Sequence, residues 1–116
     1  MKLLPIASLL VGAWMIMNGL LHDIFILISD HGKKYDRDLL RLLMDGHILI
    51  TCGAIQMIAY IGLKENQTWS FMICGLACLS LLVYLGMIFP FLKSFGAISL
   101  NLTLLILLLV EFFRKA

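Results

Sequence analysis

Apolar residues run along this chain in four long blocks, and polar residues collect in the short gaps between them. The blocks cover 3–29, 37–63, 69–89 and 96–113. Each is close to the ~20 residues an α-helix needs to cross a bilayer. Pro5 falls in the first turn of the first block, where its missing N–H costs nothing. That block stops at Asp30-His31-Gly32, with Gly32 placed as the residue just past a helix C-terminus. The stretch Asp30 to Asp38 is the most polar in the chain and predicts a solvated loop, with Asp36 or Asp38 capping the next helix. The second block is longer than a hydrocarbon core is thick, so its first turns are expected at headgroup level. Lys64 to Thr68 predicts a tight turn, Trp69 an interfacial opening of the third span, and Pro90 its end. Residues 92–95 turn the chain into the fourth span, which closes with Glu111 one turn before Arg114 and Lys115, an expected local ion pair.

The expected fold is an all-α integral membrane protein, an up-down-up-down bundle of four transmembrane helices with short loops. The 116 residues make a single domain, 1–116. Composition agrees. The chain is 62% hydrophobic and only 14% charged, with mean hydropathy +1.03. A soluble domain is roughly 45–50% apolar and about 25% charged. Lys2 before an apolar run imitates a signal peptide, but the run reaches Ile28 without a small-residue cleavage site, so a retained first span is expected.

The net charge of +2 is small and its basic residues are scattered, which argues against nucleic acid as a partner. Lys2, Lys64, Arg114 and Lys115 would share one side; Lys33, Lys34, Arg37, Arg41 and Lys93 would share the other. That near balance leaves the positive-inside rule little to act on, although the concentration of charge in the Asp30–Asp38 loop favours a cytoplasmic position for it. Cys52, Cys74 and Cys78 lie in apolar runs and read as small buried hydrophobes. Small residues recur at Gly12 and Gly19, at Gly46 and Gly53, and at Cys74, Gly75 and Cys78, as close helix approach in lipid requires. The sequons at Asn66 and Asn101 hug or enter a span and are discounted.

Candidate chemistry centres on Arg41 to Gln56, which sets Asp45, His47, Thr51, Cys52 and Gln56 in an apolar helix. An ionisable group there costs about 2.5–3.5 kcal/mol on insertion scales, so it needs a partner or a purpose. Short loops make neighbouring helices antiparallel, and a fixed rise of about 1.5 Å per residue matches their depths. His22, Asp23, Asp45, His47, Tyr84, Thr103 and Asn101 are thereby expected in one layer towards the Asp30–Asp38 end. Trp14, Asn18 and His22 form one stripe at spacing four; Asp45, Leu49, Cys52 and Gln56 form another. Asn18 and His22 facing Asp45 and Gln56, with Tyr84 as a third wall, make the sharpest candidate site. Asp45 and His47 lie about 200° apart round their helix, so only one of them can face the interior.

Each residue has a plain structural use. Arg41 can pair with Asp45, Lys33 or Lys34 with Asp23, the histidines can bond across helices, and Asn18 and Gln56 can tie helices together. No helix carries His-x-x-x-His or Glu-x-x-His, so no metal or haem is expected, and no cofactor is indicated. Nucleotide, hydrolase and zinc-protease motifs are missing, and an enzyme is unsupported. Size and layout invite comparison with small multidrug resistance transporters, but the Glu of that family's first span is replaced here by Asn18, His22 and Asp23. Three readings stand. The first is a bundle whose His/Asp layer binds a proton, ion or amphipathic small molecule, with transport as one use. The second is an accessory subunit, or a homo-oligomer, of a larger membrane complex. The third is a small enzyme acting on a lipid or quinone-like substrate.

Overall fold

A computed structural model describes residues 3–90 and 95–115. It contains α1 (Leu3–Ile28), α2 (Arg37–Leu63), α3 (Thr68–Ile88) and α4 (Phe95–Lys115), with a 3-10 turn at Asp30–Lys33 between the first two. All four helices are long and apolar enough to cross a membrane. Their bounds follow the apolar blocks to within a residue or two. The connection at 91–94, and the orientation charges Lys2 and Lys93, lie outside the described residues, as does the side chain of Lys115.

The local chemistry of the helix ends explains their positions. Asp36 caps α2, its carboxylate accepting from the Leu39 N–H at 2.9 Å. Gly32 does not end α1 as a left-handed cap, because no glycine among the described residues has positive φ. The helix has already ended at Ile28, and the Ser29 hydroxyl donates to Ile26 O at 2.6 Å and accepts from the His31 N–H at 3.3 Å. Gly32 is required for another reason: a Cβ there would run into the Leu27 carbonyl. After α2 the chain reverses over four residues, and Asn66 takes the left-handed conformation at φ 55° that asparagine tolerates.

The tightest packing is between α1 and α2. Gly12 lies against Gly53 and Gly19 against Gly46, two turns apart on both helices. A Cβ on Gly12 would sit 2.5 Å from the Gly53 carbonyl, and one on Gly19 would sit 2.6 Å from the Gly46 carbonyl. Only hydrogen side chains allow that approach, and it fixes both register and rotation. Around this seam α3 packs on α2, and α4 packs on α3 and, more loosely, on α1. The core is a column of Met15, Leu63, Cys74, Cys78, Leu81 and Leu104, each essentially fully buried.

The helices differ in length. The 26 and 27 residues of α1 and α2 span about 40 Å, against about 32 Å for the 21 residues of α3 and of α4. Contacts at Gly62 with Ser70 and at Met15 with Asn101 set the helices level at one end. The extra turns of α1 and α2 therefore project at the Asp30–Lys33 end. Ile24, Phe25, Leu27 and Ile28 are exposed on that projection.

Candidate functional site

The polar side chains of the bundle separate into two layers. The central layer is closed. Ser8, Gln56 and Asn101 have no solvent exposure. Asn101 Nδ2 donates to its own helix at Ala97 O (2.9 Å), so its Oδ1 is left as an acceptor, and Gln56 Nε2 donates to it at 2.8 Å. The same Nε2 lies 3.4 Å from Cys78 Sγ. Ser8 donates its single hydroxyl proton to Gln56 O at 2.6 Å and lies 3.5 Å from Cys74 Sγ, where it is left to accept. Side chains from all four helices thus form a network, and Gln56 Oε1 alone among its buried atoms has no partner. Such a network, with its side chains sealed from solvent, ties the four helices together. Gln56 belongs to this layer and is not a wall of the candidate site: it is eleven residues from Asp45, about 16 Å along α2.

The second layer lies where α3 ends and the α1–α2 projection begins, and it is half-buried. On α1, His22 Nδ1 and Asp23 Oδ1 are 3.3 Å apart, with exposures of 30% and 23%. The Asp23 carboxylate rests on Gly46 of α2, where any Cβ would collide with it. On α2, Asp45 is half-buried and lies against the Tyr84 phenol of α3. His22 and Asp45 share the inward line of their helices with buried Met15 and Gln56 respectively, being two turns and three turns away. Asp23 of α1 thus meets α2 at Gly46 and Asp45 of α2 meets α3 at Tyr84, so that His22, Asp23, Asp45 and Tyr84 stand at about one depth.

Other expected members fall elsewhere. Asn18 is exposed, its amide donating to Trp14 O at 2.8 Å, because it stands about 60° round α1 from Met15 on the core line. Of the Asp45/His47 pair it is Asp45 that faces inward; His47 is exposed and bonds Thr51 at 3.3 Å on the outer surface. Asn101 sits in the central layer, and Thr103 is exposed on α4. Sequence reasoning missed Ser8, whose place in the network could be inferred only from its spacing of seven to core Met15.

The simple ion-pair alternatives are likewise decided by geometry. Arg41 is exposed beside His31 and Asp38, and makes no ion pair with Asp45. Lys33 pairs with Asp30 at 3.1 Å instead of Asp23. Glu111 and Arg114 do form the expected pair, at 2.9 Å. The cysteines are free and buried, and no group of three or more His, Cys, Asp or Glu among the described residues is arranged to hold a metal. No family model, curated protein or solved structure matches the chain.

Proposed function

We propose that this chain is a multi-pass membrane protein that binds a proton, a small cation or the amine end of an amphipathic molecule in the His22–Asp23–Asp45–Tyr84 niche. The observation that carries the reading is charge. Asp23 and Asp45 share a half-buried layer, and neither pairs with Lys or Arg among the described residues. Two carboxylates beside hydrocarbon favour a cation that reaches them, since Asp23 otherwise has only the His22 imidazole and Asp45 only the neutral Tyr84 phenol as partner. His22 adds a proton donor or acceptor, and Tyr84 a phenol with an aromatic face. The ligand enters from the Asp30–Asp38 side, which the concentration of Lys33, Lys34 and Arg37 favours as cytoplasmic. Beneath the niche, Met15, Leu81 and Leu104 close the core, so translocation by one copy requires that plug to open.

The test is binding of a lipophilic cation, tetraphenylphosphonium, to detergent-purified protein by calorimetry. His22→Ala and Asp45→Asn should keep helical content and elution volume while affinity falls at least about tenfold, or 1.4 kcal/mol. Unchanged affinity, or aggregation of both variants, would make the layer packing and remove the site.

The accessory-subunit reading has its own support. Ile24, Phe25, Leu27 and Ile28 stay exposed on the part of α1 that extends beyond α3 and α4, and His47 and Thr51 face outward. A partner helix would cover both surfaces. Native mass spectrometry of gently extracted protein separates the readings: other polypeptides in fixed ratio indicate a subunit, and a bare or ligand-carrying homo-oligomer indicates the binding bundle.

A further inference from the structure

The end of the bundle opposite the niche carries a second, unrelated feature. A hollow of about 400 Å³ opens there between the start of α1, the end of α2 and the end of α4. Its floor is Leu4, Pro5 and Leu63, and its rim carries Glu111 and Arg114, joined at 2.9 Å. A second hollow of about 380 Å³ begins at the same residue, Leu3, and runs inward along the seam between α1 and α4. Its walls include Ala7, Val11, Leu100 and Leu104, and it is almost wholly apolar. The seam is open because α4 is the least buried of the four helices and packs only loosely on α1. From Leu3 to Val11 it runs about 12 Å towards the middle of the bundle.

A polar hollow at the end of an apolar helix bundle, and beside it across Leu3 an apolar groove that descends between two helices, offer places for the headgroup and for one acyl chain of a phospholipid. The charges at the rim specify which. Arg114 spends one of its five guanidinium donors on Glu111, leaving others for a phosphate oxygen. Glu111 supplies an acceptor for a neighbouring ammonium. We propose that the α1–α4 seam binds a phospholipid with a primary ammonium headgroup, of the phosphatidylethanolamine type. Phosphate lies at Arg114, ammonium at Glu111, and one acyl chain fills the groove. The lipid also completes the contact between α1 and α4 that the side chains leave open. A choline headgroup has no N–H to give Glu111, and a glycerol headgroup has no cation.

The experiment is native mass spectrometry of the full chain released from nanodiscs holding equal amounts of phosphatidylethanolamine, phosphatidylcholine and phosphatidylglycerol. Wild type is expected to retain the ethanolamine lipid about tenfold over either other lipid. Glu111→Gln should abolish the preference over choline while leaving total lipid retention; Arg114→Ala should lower retention of all three. Ala7→Phe fills the groove and should displace the lipid with helical content unchanged. If that variant unfolds, the selectivity of Glu111→Gln, an isosteric change at a half-buried position, decides alone. Equal retention of the three lipids by wild type, or an intact preference in Glu111→Gln, overturns the proposal.

Discussion

Replacing Gly53 with alanine tests the glycine seam that sets the geometry of the niche. The new Cβ would lie 2.7 Å from the Gly12 carbonyl oxygen and 3.0 Å from both Ile16 N and Ile16 Cγ1. Two of those three atoms are backbone, so no rotamer change relieves the contact, and α1 must move away from α2 by several tenths of an ångström. Overpacking of this kind costs about 1–3 kcal/mol. Alanine recovers about 1 kcal/mol of helix propensity, leaving a net loss of up to about 2 kcal/mol. That corresponds to a change of up to about 30-fold in the folding equilibrium. Gly86 supplies the control, because nothing lies within 4 Å of a Cβ there. Gly86→Ala should keep the propensity gain alone and stabilise by up to about 1 kcal/mol. Unfolding by added sodium dodecyl sulfate in mixed micelles, followed by circular dichroism, measures both. The two variants should move in opposite directions. If Gly53→Ala resists detergent as well as Gly86→Ala does, the helices are not in backbone contact at Gly12 and the seam is wrong.

Two further outcomes follow from the hydrogen bonds. Gln56→Leu strips Asn101 Oδ1 of its buried donor and should cost about 1–3 kcal/mol in the same titration. The Gln56→Leu/Asn101→Leu double variant should recover much of that loss, and strict additivity would show that the two amides do not interact. Asp36→Ala removes the α2 cap and should cost about 1 kcal/mol, seen as faster hydrogen exchange at Leu39 and in the first turn while the rest of α2 keeps its protection.

The helices themselves were legible in the sequence, because in a chain this apolar the polar gaps are short and the blocks between them match the length of a membrane span. Depth was legible too. A constant rise per residue and short reversals set His22 level with Asp45 to within a turn. Rotation was not. Asn18 shares a stripe with His22 in sequence, yet it faces outward while Met15, three residues earlier, is fully buried. Asp45 and His47 could exchange roles by turning α2 half a revolution. What fixes that turn is the close contact of Gly46 and Gly53 with Gly19 and Gly12, a property of two surfaces together and of neither helix alone. The pairing of Gln56 with Asn101, across 45 positions of chain, has the same origin. Hydrophobicity decided which segments became helices and how far each reaches; side-chain fit between them decided which polar groups are sealed in the centre and which remain open at the end.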